Sequence, residues 1–282
     1  FRLNRVVRLP SRLEKWWLIR QGPFCPQLVS HLRDRSNRYD RVLFITSLYY
    51  PTVAGLPPVR EKAVLVPTAH DEPAMNFGLY HALMQMPRFI LFLSREEKDF
   101  VHQRFGTRHI PFQVAGIGVE IRKPAGRSED FLLYIGRIEP GKNCGELFEF
   151  CRQTGLPLKA VGSAQMPVPD HVEFRGFVDE EEKCELVERC RAVVIPSLNE
   201  SLSIVALDAW AQGKPVIVHG DSPVLSGHVR RSGGGYIYRN LEEFKTIVTK
   251  VDSAAGLKGR EYVRKYYTWE KILPAYRQAL LA

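Results

Sequence analysis

Cysteine is scarce and scattered in this sequence. The five residues, Cys25, Cys144, Cys151, Cys184 and Cys190, form no C-x-x-C pair. A disulfide framework and a cysteine-built zinc site are thereby excluded, and reduced thiols in a cytosolic compartment are expected. No apolar run approaches the roughly 20 residues of a membrane helix. The start, FRLNRVVRLPSRLEKWW, places basic residues where a signal peptide carries an uninterrupted apolar core. The protein is therefore expected to be cytoplasmic, either free or peripheral at the inner membrane face. Repeats of solenoid period, low-complexity segments and recognised nucleic-acid motifs are absent as well, so repeat architectures and nucleic-acid partners are set aside. Acids are few near the N-terminus: residues 1–41 hold ten Lys/Arg against three Asp/Glu, which is +7 of the net +9. Arg2, Arg5, Arg8 and Arg12 recur at helical spacing among apolar residues, interrupted by Pro10. Two readings of that pattern stand, an anionic-membrane surface and a solvated helix face. The first residue is Phe, so the chain reads as cut from, or beginning within, a longer one.

With 45% hydrophobic and 25% charged residues over 282 positions, the composition is that of a globular protein with room for two cores. Strand-length apolar runs occur at RVLFITS, AVLVPTA, RFILFLS and PFQVAGIGV, with helical patterns PAMNFGLYHALMQM and SREEKDFVHQRF between them. Ser94 followed by Glu96 and Glu97 is a helix-start signature. After the polar stretch RKPAGRSED the alternation restarts. FLLYIG, a helix from about Cys144 to Thr154, LKAVG, VEFRGF, a helix near EEEKCELVERC, AVVIPS, an apolar helix, PVIVHG and GGGYIY follow in order. Two further helical segments, EEFKTIVTK and GLKGREYVRKYYTWEKILPAYRQALL, close the chain. This alternation predicts an α/β protein with parallel sheets covered by helices, in two Rossmann-like domains. The division is expected near residue 124, giving 1–124 and 125–268, with a last helix of about 269–282 packing back on the first domain. The first domain reads as incomplete, with about four strands and no glycine-rich turn after an early strand.

Ligands in open parallel sheets bind beyond the carboxyl ends of the strands. After FLLYIG comes RIEPGKN, where Arg137 and Lys142 stand near a helix start. Two cations beside free N–H groups suit a diphosphate, and the alternative is a solvated surface loop. Gly162, at the end of LKAVG, admits close backbone approach, while Phe177 and Val178 offer either an apolar wall for a nucleobase or plain packing. The stretch PSLNESLSIVALDAWAQGKPVIV carries two acids, Glu200 and Asp208, in an apolar setting. If Glu200 begins the helix, the two lie about 12 Å apart along it and about 80° around it. They would then meet sugar and ribose hydroxyls, or else serve as a plain N-terminal acid and a paired carboxylate.

The order GRIEPGKN, AVVIPSLNESLSIVALDAWAQGKPVIV, GGGYIY and YYTWEKILPAYRQAL resembles the C-terminal half of retaining GT-B-fold glycosyltransferases, specifically glycosyltransferase family 4, group 1. The family's signature is Glu, seven residues, Glu; here it is Glu200, seven residues, Asp208. RQGPFCPQL, YDRVLFITSLYYPT, VPTAHDEP and VAGIGVE resemble the rear of the acceptor-side domain in one bacterial branch. The resemblance implies transfer of a sugar from a nucleotide-diphosphate sugar, a UDP- or GDP-sugar, to an acceptor hydroxyl with retention and without a metal or other cofactor. It assigns catalytic roles to Glu200 and His70, the diphosphate to Arg137, Lys142, Ser201, Leu202 and Ser203, the ribose to Asp208, and base or backbone contact to Gly162, Phe177 and Val178. It places His70 at an interdomain cleft, and has the Gly116 to Val119 turn lead into the linker. Asp71 and Glu72 have a second reading, as caps of the helix near Pro73. The basic residues at the N-terminus hint at a lipid-linked or bacterial envelope glycan acceptor near the inner membrane face. The missing front strands leave an alternative: a nucleotide-sugar-binding fragment that needs a partner chain or an oligomer for turnover.

Overall fold

The computed structural model describes residues 10–123, 126 and 128–282. Arg2, Arg5 and Arg8, and the expected boundary at residue 124, lie outside the described residues. The chain forms two compact units, Phe1–Gly116 with Leu273–Ala282, and Ile117–Ile272.

In the first unit α1 (Ser11–Gln21) and α2 (Pro26–Arg35) precede β1 (Val42–Ile45), α3 (Tyr50–Gly55), β2 (Ala63–Val66), α4 (Gly78–Met84), β3 (Phe89–Phe92), α5 (Arg95–Phe105) and β4 (Phe112–Val114). Among the described residues the strands form one parallel sheet in the order β1-β2-β3-β4. AVLV and FILF are buried along their whole length, which is why they read as continuous apolar runs. Ser94 caps α5 by accepting the Glu97 N–H at 3.1 Å. The expected helix at PAMNFGLYHALMQM is instead a 3-10 turn, Pro73–Asn76, followed by α4, because Phe77 is extended. Glu14 of α1 supplies the new start: its buried carboxylate accepts the N–H groups of Gly78 at 2.9 Å and Leu79 at 3.1 Å. Glu72 precedes the 3-10 turn without a side-chain cap, so the capping reading of that acid is not met.

The second unit holds β5 (Leu132–Ile135), α6 (Cys144–Thr154), β6 (Leu158–Val161), β7 (Val172–Gly176), α7 (Glu180–Arg189), β8 (Ala192–Ile195), α8 (Ile204–Ala211), β9 (Val216–His219), α9 (Pro223–Ser232), β10 (Gly235–Tyr238), α10 (Leu241–Lys250) and α11 (Ser253–Tyr266). Its parallel sheet runs β10-β9-β8-β5-β6-β7. Trp210 of α8 is fully buried and donates its indole N–H to the Gly234 carbonyl at 2.7 Å. Gly234 and Gly259 leave room for that ring, since a Cβ on either would overlap it. The C-terminal segment is broken into α11 and α12 (Trp269–Leu281), because Tyr267 leaves helical geometry and its carbonyl accepts the Val119 N–H at 2.8 Å. Within α12 the chain passes from the second unit to the first at Leu273. No helix among the described residues is long and apolar enough to cross a membrane.

Candidate functional site

The second unit's sheet has its topological switch point between β5 and β8. The chain leaves β5 through α6 toward β6 on one side, and leaves β8 through α8 toward β9 on the other. Their two loops diverge there and leave a crevice, the place where open α/β sheets take ligands. Across this crevice Lys142 Nζ donates to Glu200 Oε1 at 2.8 Å, with the two side chains 26% and 17% exposed. The pairing joins a cation and an acid that are far apart in sequence. Arg137, on the same loop as Lys142, is exposed and lies 3.2 Å from Glu139. The Tyr134 hydroxyl donates to the Arg137 carbonyl at 2.6 Å and pins the end of β5; burial pushes that phenol far above its ordinary range.

Glu200 does not begin the helix. α8 starts at Ile204, and Ser203 before it is left-handed, with φ 72 and ψ 85, a conformation that costs a serine roughly 1–3 kcal/mol. The helical spacing expected between Glu200 and Asp208 therefore does not relate them; Glu200 is held from the loop by Lys142. Ser201 and Leu202 share that loop, and Leu202 and Ser203 are buried. Among the described residues neither α6 nor α8 has a side-chain cap, and each follows a left-handed residue, Asn143 or Ser203. By contrast Asp179, Ser222, Asn240 and Asp252 cap α7, α9, α10 and α11. The two helices that face the crevice thus present N–H groups to it, with the positive end of the helix dipole behind them. Behind α6, Asn143 donates to Glu146 at 2.9 Å, and Glu146 lies 3.5 Å from the buried His219 at the end of β9.

Beside the crevice the carboxyl ends of β5, β6 and β7 line a pocket of about 260 Å³ whose walls include Arg137, Gly162, Phe177, Val178 and Lys183. Gly162 has φ +130, and a Cβ on it would overlap the Gly136 carbonyl oxygen, so glycine is required where the two strand ends converge. Phe177 is 90% exposed, which rules out the packing role for its ring. Lys183, on α7, links this pocket to Asp208: its Nζ stands 3.5 Å from Asp208 Oδ2 and 2.7 Å from Glu180 Oε2. Burial raises the Asp208 carboxyl above its ordinary value, against the pull of the Lys183 charge. Burial works against the Lys183 cation too, but the bonds and charges of Glu180 and Asp208 outweigh it and hold its pKa above the ordinary lysine value. Lys183 and the Asn143–Glu146–His219 set were not identified from sequence. Their only signal there was position, at a helix start or a strand end.

His70 belongs to the first unit, in the loop after β2, half-buried and with no hydrogen-bond partner for its Nδ1 among the described residues. The loop is anchored by Glu97, which accepts the N–H groups of Ala69 at 2.7 Å and Leu93 at 2.6 Å; full burial pushes its carboxyl up to about 8. A larger cavity of about 640 Å³, with Asp130, Arg191, Lys214 and Asp252 in its wall, lies at the amino ends of the second unit's strands. The helix start in its wall, that of α11, is already capped by Asp252, whereas the starts of α6 and α8 at the carboxyl end have no side-chain cap; the carboxyl end is therefore the better candidate despite its smaller volume.

Residues 120–258 match the family model of glycosyl transferases group 1. An uncharacterized glycosyltransferase of Methanocaldococcus jannaschii is 32% identical, in a match covering 55% of this chain and 46% of the relative, so this chain spans about half of that protein's length. Among solved structures, a sucrose-phosphate synthase from Thermosynechococcus elongatus is similar with a TM-score of 0.75 at 18% identity, over 98% of this chain and 82% of that one. Anabaena HepE in complex with UDP is similar with a TM-score of 0.73 at 16% identity, over 90% and 82%. S. aureus TarM, solved with fondaparinux, α-GlcNAc-glycerol and UDP, gives 0.73 at 14% identity, over 90% and 58%. The two parallel-sheet, Rossmann-like units are those of the GT-B fold.

Proposed function

We propose that this chain is a retaining glycosyltransferase of family 4, which moves a sugar from a nucleotide-diphosphate sugar to an acceptor hydroxyl without a metal or other cofactor. The observation that carries the reading is the Lys142–Glu200 pair at the switch point, between two helix starts without side-chain caps, inside a segment that matches glycosyl transferases group 1. The second unit is the donor side and the first the acceptor side. Negative charge that builds on the departing diphosphate meets Arg137, Lys142 and the N–H groups of Ser201, Leu202 and Ser203, donors already in place before the bond breaks. Glu200 orients the sugar, Asp208 accepts from the ribose, and Gly162, Phe177 and Val178 receive the base. His70 contributes a hydrogen bond at the reacting centre. The UDP in the HepE and TarM structures supports a UDP-sugar, with GDP the other donor of the proposal.

The acceptor in this reading is a glycan or a lipid-linked one, in keeping with the glycosyl compounds bound to TarM. Peripheral contact with anionic membrane belongs to the same reading and draws on α1, where Leu13 and Trp16 are exposed among Arg12, Lys15 and Arg20. Calorimetric titration with UDP-, GDP- and ADP-sugars, repeated on Glu200→Ala and Asp208→Ala, tests the donor site. One nucleotide sugar is expected to bind and to weaken in both variants; no binding to any of them by folded protein refutes it. Binding without turnover on any acceptor would favour the alternative, a nucleotide-sugar-binding chain completed by a partner.

A further inference from the structure

Asp208 is joined to the pocket through a neighbour. Lys183 Nζ lies 3.5 Å from one of its oxygens, and Lys183 itself lines the 260 Å³ pocket. The ammonium is fixed rather than free to swing. Glu180, three residues before it on α7, holds it at 2.7 Å through Oε2, while the other Glu180 oxygen accepts from Arg122 at 3.0 Å. Of the three N–H donors of Lys183, Glu180 and Asp208 engage two, which leaves one for a ligand. The pocket edge therefore offers a donor and an acceptor side by side. Each hydroxyl of a vicinal diol carries one proton to give and lone pairs to fill. A carboxylate alone would satisfy only the protons; the Lys183–Asp208 pair satisfies both.

We propose that Lys183 is a specificity-determining residue which, together with Asp208, reads the ribose 2′,3′-diol of the donor nucleotide and so selects ribonucleotides over 2′-deoxyribonucleotides. This rests on the donor-site reading above and adds a residue and a selectivity to it. Loss of the 2′-hydroxyl strands a half-buried donor and acceptor, and unpaired polar groups are what let a site reject an analogue lacking a hydroxyl. The 23% exposure of the Lys183 side chain makes the discrimination moderate rather than extreme.

The test is calorimetric titration with UDP and 2′-deoxy-UDP on the wild-type chain, Lys183→Met and Lys183→Arg. Wild type is expected to prefer UDP by about tenfold or more. Lys183→Met, which keeps the apolar stem and drops the cation, should lose about tenfold for UDP and no more than about twofold for 2′-deoxy-UDP, so the preference collapses. Lys183→Arg should restore most of it. Equal losses for both nucleotides in Lys183→Met, or an unchanged preference, would overturn the assignment while leaving the donor site standing. Failure of wild type to bind either nucleotide would overturn the donor-site reading and this assignment with it.

Discussion

Lys142 is paired with Glu200, and a diphosphate must compete for it. The pair is 2.8 Å long with side chains 26% and 17% exposed. That sets it between exposed pairs, worth up to about 1 kcal/mol, and buried ones, whose disruption costs about 3–5 kcal/mol; a coupling of about 1–2 kcal/mol is the reasonable figure. Glu200→Gln keeps the side-chain shape and removes the competing charge. UDP without a sugar should therefore bind roughly 5- to 30-fold tighter to the variant, a gain that shrinks as salt screens the charges. The UDP-sugar should behave oppositely, because it loses the charged acceptor for its hydroxyls, so the preference for sugar nucleotide over bare nucleotide falls by about tenfold. Calorimetry of both ligands at low and high salt gives the comparison. If UDP and UDP-sugar weaken by the same factor, Glu200 does not compete for Lys142 and the division of labour between the two residues is wrong.

Gly162→Ala combines a Cβ clash against the Gly136 carbonyl with an unfavourable φ, and should destabilise the second unit by about 2–4 kcal/mol while abolishing UDP binding. An unchanged melting temperature would show that the strand ends can part. His228 is buried between α8, α9 and α11, and burial, with the Arg231 charge, lowers its pKa from 6.5 to about 3. The unfolded chain then binds more protons than the folded one between those values, so stability is complete above about pH 6.5 and falls on acidification, by about 2 kcal/mol at pH 5. Denaturant midpoints of wild type and His228→Gln across that range should show a steeper fall in wild type; parallel curves would refute the assignment.

What could be read from sequence follows from which interactions are local. FILF, AVVI and PVIV are buried on both faces, so their apolar runs needed no knowledge of neighbours. Ser94 caps its own helix and was legible for the same reason. The start of α4 was not, since its cap is Glu14, 64 residues away. Helix α9 escaped notice because Ser226, Gly227 and His228 stand among its buried residues beside Val224, Leu225 and Val229 and interrupt the apolar stripe. At the site, the rule that ligands lie beyond parallel strand ends led to Arg137, Lys142, Gly162 and Phe177, and the structure gathers them at the ends of β5, β6 and β7. The start of α8 was misplaced because the left-handed turn at Ser203 is carried by a serine, a residue that does not announce it. Lys183 was invisible because its partner Asp208 lies on a different helix, across a strand.

Hydrogen exchange of the full chain with and without saturating UDP tests the central claim most directly, because it reports where a nucleotide acts on the fold. Protection confined to the loops after β5, β6, β7 and β8, with the starts of α6 and α8 foremost, is the predicted result. Protection at the amino ends of the strands instead, around Arg191, Lys214 and Asp252, or none at all, would contradict it.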